Sequence, residues 1–166
     1  MAVNVSGIQL RRKGFVESVR QVLDRSGLPP ELLQIEVTES IMLGEGQHAV
    51  EILSQLKEMG IGLAIDDFGT GYSNLSYLPS LPFNTLKIDG TFIRDLEEKP
   101  EGPAMIRTMI SLAHNIGMSV IVEGVETVDQ LELIEALGAN EVQGFLLGRP
   151  AANPLEEYLI PAMQAI

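Results

Sequence analysis

The chain has 166 residues, enough for one domain with a sizeable core and too few for two ordinary ones, and its 45% hydrophobic and 20% charged residues exclude a disordered chain. A formal net charge of −12 argues against a nucleic-acid polymer as partner, because phosphate backbones need Lys and Arg to replace their counterions. No apolar run approaches the ~18 residues that cross a bilayer, the start MAVNVSGIQLRRKG lacks a secretory pattern, and the absence of cysteine removes disulfides and thiolate metal sites, which fits a cytoplasmic setting.

In chain order, short β-branched runs alternate with stretches of helical period. The strands expected are Val3-Asn4-Val5, Gln34 to Thr38, Gly62 to Asp66, Thr85 to Asp89, Ser119 to Glu123 and Glu141 to Leu147. A helix is expected from Phe15 to Arg25, with Gly27-Leu28-Pro29-Pro30 as its exit. After Gly46, Ala49, Ile52, Leu53, Leu56 and Met59 recur on one helical face, and Gly60 ends it. Pro103 opens a helix with Ile106, Met109, Ile110 and Ala113 inward, stopped by Asn115 and Gly117. Thr127 with Gln130 forms a capping box for a helix that stops at Gly138, and Asn153, Pro154 and Glu156 open a short last one.

Such alternation, with no linker between, means βαβ units and a parallel sheet. Runs such as Leu63-Ala64-Ile65 and Val120-Ile121-Val122 are apolar on both faces, so both faces are covered. An open doubly wound sheet and a (β/α) barrel both fit. Six units at about 28 residues each fall about two units short of a closed barrel of ~250 residues. The chain is therefore expected to be a single domain over 1–166 that lacks its first strands.

Active sites of parallel α/β folds lie at the carboxyl ends of the strands. Those ends carry Asn4, then Glu36 and Glu39, Asp66 and Asp67, Lys87 and Asp89, Glu123 and Glu126, and Gln143. Any one of these is most simply a helix cap or a solvated acid, as Glu51, Glu58, Glu97 and Glu98 are taken to be; six strands in succession are not. Gathered at one mouth, the acids stay ionised only beside cations, and Lys87 supplies a single charge. A hard divalent ion on oxygen ligands, Mg²⁺ or Mn²⁺, is implied. Adjacent Asp66 and Asp67 cannot both face one side of a regular strand; Gly69 and Gly71 would let the chain turn so that they bracket neighbouring metals.

Val3-Asn4-Val5-Ser6, Glu36-Val37-Thr38-Glu39, Asp66 to Tyr72 (DDFGTGY), Leu86-Lys87-Ile88-Asp89, Glu123-Gly124-Val125-Glu126 and Gln143-Gly144-Phe145 together resemble, in order, the blocks of EAL-domain phosphodiesterases. The resemblance runs from Val3 to Pro150. It implies an α/β fold, a TIM-like (β/α) barrel of the EAL type with one antiparallel strand, present here in about six of its eight units. It also implies hydrolysis of cyclic di-GMP to the linear dinucleotide with two Mg²⁺ or Mn²⁺ ions. By resemblance, Asn4, Glu36 and Asp66 are ligands of the first metal, and Asp66 bridges to a second that Asp67 helps hold. Lys87 positions or deprotonates the attacking water, and Glu123 and Gln143 serve the second metal and its waters. Glu39 anchors the DFGTGY loop, or is simply a helix-start acid, as Glu126 is.

The family's eponymous Glu-Ala-Leu strand, which carries a metal ligand, would lie upstream of Asn4 and is absent. Glu135-Ala136-Leu137 has the same letters but falls late in a helix, with Leu137 inward and Glu135 in solvent, and no catalytic role is expected of it. Gly90 stands where the family often has a basic residue. With a ligand missing and a strand edge open, weak or absent phosphodiesterase activity is expected of the chain alone, with a homo-oligomer or a partner segment covering the edge. The alternative is a non-catalytic module that senses cyclic di-GMP or binds protein.

Overall fold

The computed structural model describes residues 1–71 and 75–149, and their side chains apart from those of 42–46, 75–77, 95, 97 and 98. Tyr72, Ser73, the side chains of Glu97 and Glu98, and the last helix expected at Asn153 to Glu156 lie outside that set. Six strands, β1 (Ala2–Asn4), β2 (Gln34–Thr38), β3 (Gly62–Phe68), β4 (Thr85–Ile88), β5 (Ser119–Val122) and β6 (Glu141–Val142), form one sheet in sequence order. Every neighbouring pair is parallel. The antiparallel strand that the resemblance implies is not among these six.

The helices that cross between strands are α1 (Gly7–Leu10), α2 (Phe15–Ser26), α3 (Glu39–Glu58), α4 (Thr91–Glu98), α5 (Gly102–Asn115) and α6 (Val128–Leu137). Their starts follow the sequence chemistry. Ser6 with Gln9 and Thr127 with Gln130 make reciprocal capping boxes at α1 and α6. Asp89 accepts from both the backbone N–H and the hydroxyl of Thr91, opening α4. No helix was expected at α1 or α4, and two boundaries differ from expectation by more than two residues. α3 begins at Glu39 rather than after Gly46, because Thr38 is still extended and the chain turns helical directly behind it. The last strand is two residues long and does not reach Leu147: the Gly144 backbone lies on Val125, the Leu146 N–H donates to the Val125 carbonyl at 3.1 Å, and the chain curls over.

Alternation along the central strands sorts the side chains between two faces. Ile35, Val37, Leu63, Ile65, Leu86, Ile88, Val120 and Val122 are all at most 2% exposed and belong to the same core as Leu53, Leu56, Ile106, Ile110 and Ala113 of the crossing helices. The opposite face carries Glu36, Ala64 and Asp66, Thr85 and Lys87, and Ser119 and Ile121. β2 to β5 are largely buried, whereas β1 is exposed throughout and β6 is partly so. Among the described residues β1 pairs only with β2 and β6 only with β5. The sheet is an incomplete TIM-like barrel.

Candidate metal and phosphate site

The inner face brings its charged side chains to one point. Lys87 Nζ lies 2.8 Å from Glu36 Oε2, 2.9 Å from Asp66 Oδ1 and 2.6 Å from Glu123 Oε1. Register explains the meeting. Asn4 stands beside Glu36 across β1 and β2, and Thr38 beside Asp66 across β2 and β3. Glu36 is in the middle of β2, not at its end, and only its length carries the carboxylate to Lys87. Beneath this layer the hydroxyls of Thr85 and Ser119 share a hydrogen bond of 3.1 Å.

Asp66 and Asp67 reach the site by a device other than the expected glycine turn. The β3–β4 register shifts between Ile65 and Phe68, so that three steps along β3 pass two along β4. Asp67 sits in that extra step at φ +54, the left-handed region that Asp tolerates better than most side chains. The strand resumes at Phe68. An irregularity inside the strand thus redirects two consecutive acids before Gly69 is reached.

Glu39 touches both the helix start and the turn after β3. It is the first residue of α3, and its buried carboxylate accepts from the Gly69 N–H at 3.3 Å. A small cleft between Thr38, Glu39, Ser40, Asp67, Thr70 and Gly71 marks the same spot. The ends of β4 and β5 are drawn together by backbone contact: a Cβ on Gly124, at φ +76, would lie 2.8 Å from the Gly90 Cα. The absence of a side chain at Gly90 therefore serves close packing beside Glu123.

Charge at the site is shared unequally. Burial opposes the Lys87 ammonium, but hydrogen bonds to Glu123, Glu36 and Asp66 outweigh it and hold its pKa above the usual lysine value. Burial raises the Glu123 carboxyl; Lys87 opposes this, and the charges of Asp66 and Glu36 add to it. Burial, then Asp66 and Asp89, likewise raise Asp67. Lysine and acid shift the same way because Lys87 gains from three carboxylates, whereas at Glu123 burial and two like charges outweigh the ammonium it shares.

Cation capacity therefore remains. Asp66, Asp67 and Glu123 offer oxygens that all lie within 4.8 Å of one another, a set able to hold a metal ion. Asp66 Oδ1 is buried, and the Lys87 ammonium at 2.9 Å is its one polar neighbour among the described residues, which leaves a lone pair of the oxygen unused. A buried carboxylate oxygen with unused capacity suits a hard cation. Asn4 and Gln143 are exposed at the ends of β1 and β6, and among the described residues neither side chain is hydrogen-bonded to the cluster. Glu126 is exposed, its backbone N–H tied to Gln130, as befits a helix-approach acid. Glu135 is exposed and Leu137 buried on α6, as the sequence indicates.

Fold and rim define a class: an incomplete parallel (β/α) barrel with an inward cluster of acids around one lysine. The EAL domain family matches residues 1–150, and the chain belongs to it. Over 159 residues it is 45% identical to the bifunctional diguanylate cyclase/cyclic di-GMP phosphodiesterase MucR of Pseudomonas aeruginosa, covering 96% of this chain and 23% of that protein. The structure of the PaMucR phosphodiesterase in complex with c-di-GMP matches with a TM-score of 0.88 at 45% identity, over 93% of this chain and 63% of that one. The manganese/cyclic-di-GMP complex of Klebsiella pneumoniae BlrP1 matches with a TM-score of 0.83 at 31% identity, over 90% and 38%. The chain thus spans less than two thirds of each of these relatives. Among the described residues no helix is long and apolar enough to cross a membrane.

Proposed function

We propose that residues 1–166 act as one domain in the hydrolysis of cyclic di-GMP to the linear dinucleotide, in the cytoplasm, with two Mg²⁺ or Mn²⁺ ions. The observation that carries this reading is the convergence of Glu36, Asp66 and Glu123 on Lys87, with Asp67 turned toward them. Asn4, Glu36 and Asp66 would hold one ion, and Asp66, Asp67 and Glu123 the other, with Gln143 fixing water at the rim. When bound, such ions stabilise charge developing on phosphoryl oxygens and lower the pKa of an attacking water.

Lys87 stays protonated near neutral pH, since its pKa is raised rather than lowered. Without bound metal it is thus a hydrogen-bond donor, and it would position or deprotonate the attacking water when the ions are in place. Glu39 holds the turn that carries Asp67. A cyclic di-GMP hydrolysis assay in Mn²⁺ tests the assignment: turnover that disappears in Lys87→Met supports it, and turnover unaffected by that change removes Lys87 from the chemistry.

A second reading has its own observation. Asn4, which would hold the first ion, lies on an exposed strand that pairs with β2 alone among the described residues. An apolar cleft of about 680 Å³ runs between β1 and α2, lined by Val3, Val5, Phe15, Val19 and Ile35 among others. We accordingly propose weak turnover by the chain alone, recognition of cyclic di-GMP without hydrolysis as the alternative, and a second copy or partner segment over β1. Calorimetry with cyclic di-GMP in Ca²⁺, then exchange into Mg²⁺, separates binding from turnover. Sedimentation velocity reports the assembly: a monomer at high concentration counts against a second copy.

A further inference from the structure

The turn that carries Asp67 has little ladder support. The β3–β4 pairing is interrupted between Ile65 and Phe68, and the Gly69 N–H is held from one side by a single long hydrogen bond, 3.3 Å, to Glu39. On its other side stands an aromatic ring. A Cβ added to Gly69 would lie 2.7 Å from Cζ and 2.8 Å from Cε2 of Phe92, and 3.4 Å from Sδ of Met109. Gly69 has φ +93, so it is a glycine for two reasons: the backbone conformation and the ring against it.

Phe92 is itself well placed to bear on this point. It is the second residue of α4, whose start is fixed by the Asp89 cap directly after β4, and its own N–H donates to the Asp89 carbonyl at 3.1 Å. The ring packs against the core, as does Met109 of α5, so it rests on a firm base. The geometry points to Phe92 as a positioning residue for Asp67: its ring, pressed on Gly69, clamps the irregular turn against the Glu39 carboxylate. This rests on the reading of Asp66 and Asp67 as metal ligands. Nothing about residue 92 is polar, and its effect on the site passes entirely through the Gly69 backbone.

Two measurements on the 166-residue chain test it, one of them without metal. In metal-free protein, amide hydrogen exchange at Gly69 should quicken at least about tenfold in Phe92→Ala, since the donor is no longer pressed onto Glu39. Calorimetric titration with MnCl₂ should show about tenfold weaker binding in Phe92→Ala, as for loss of a residue that supports a metal ligand, with Phe92→Leu restoring most of it. Gly69→Ala should weaken Mn²⁺ binding by driving its Cβ into the ring, and Gly69→Ala with Phe92→Leu should be milder than the sum of the two. That pair keeps the inference testable if Phe92→Ala does not fold. A folded Phe92→Ala protein with wild-type Gly69 protection and wild-type Mn²⁺ affinity overturns the role of Phe92, as does strict additivity of the Gly69 and Phe92 changes. Wild-type protein that binds no Mn²⁺ overturns the metal-centre reading itself, whatever the exchange shows.

Discussion

The ammonium of Lys87 lies 2.6 Å from the carboxylate of Glu123, and the same nitrogen is within 2.9 Å of carboxylates on two other strands. One side chain, nearly sealed from solvent, is the counterion for β2, β3 and the end of β5 together. Among the described residues this one ammonium ties the three strands together.

Removing it should therefore be costly without metal and less so with it. Lys87→Met leaves three carboxylates facing one another in a buried setting, and a loss of about 3 kcal/mol is expected in EDTA. Divalent ions replace the missing charge, so denaturant unfolding in excess Mn²⁺ should recover much of that loss. Equal destabilisation with and without Mn²⁺ would place the acids too far apart to share a cation.

The pH dependence follows from the sign of the shifts. The Glu123 carboxyl is raised by burial and like charges, so its protonated form is favoured by folding. Its contribution is fully present below the ordinary glutamate pKa and is lost as pH rises through the higher folded value. The stability of wild type relative to Glu123→Gln, in EDTA, should accordingly fall as pH is raised from about 4 to 7. Lys87 behaves oppositely in range: its contribution persists up to the ordinary lysine pKa of about 10.4 and is lost only above it. A difference between wild type and Glu123→Gln that grows in favour of wild type toward neutral pH would contradict the first assignment.

Asp67 trades stability for its place at the site. Asn is at ease in the left-handed conformation, and Asp67→Asn removes a charge that burial, Asp66 and Asp89 all disfavour. Melting in EDTA should show a gain of up to about 1 kcal/mol, while Mn²⁺ affinity falls at least about tenfold. A variant that is both less stable and unchanged in metal affinity would mean that Asp67 faces away from any ion.

Glu39 should be separable from the acids around Lys87 by its signature. Glu39→Ala removes a helix-start acid and the acceptor of the Gly69 N–H, with an expected loss of about 1–2 kcal/mol. Glu39→Gln keeps an acceptor and should retain most of that stability. If the two variants melt alike, the hydrogen bond to the turn contributes nothing. Glu135→Ala serves as the control on exposed α6, expected within about 0.5 kcal/mol of wild type and with unchanged Mn²⁺ binding.

Much of this was legible in one dimension because it depends on local rules. The strand β2 at Gln34–Thr38 and the capping box of Thr127 with Gln130 are set by side chains and backbone close together in sequence, and period-two alternation separates Glu36, Asp66 and Lys87 from the apolar residues beside them. The same logic dismissed Glu135-Ala136-Leu137, since helical period alone puts Leu137 inward. Where local rules compete, the reading was less exact. The expected strand to Leu147 ends at Val142 because Gly144 meets Val125, a contact between segments about a strand and a helix apart that no window of sequence contains.

Residue types, their order along the chain and the face each would take belong to the sequence by itself, since propensity and alternation are properties of short segments. Whether three acids would share one lysine was decided only by the tertiary structure, because inter-strand register sets distances between residues as far apart as Glu36 and Lys87. The same holds for Asp67 and Phe92. A one-residue irregularity in β3 and a ring resting on a glycine are matters of how separate elements pack, and packing is where the site acquires its shape.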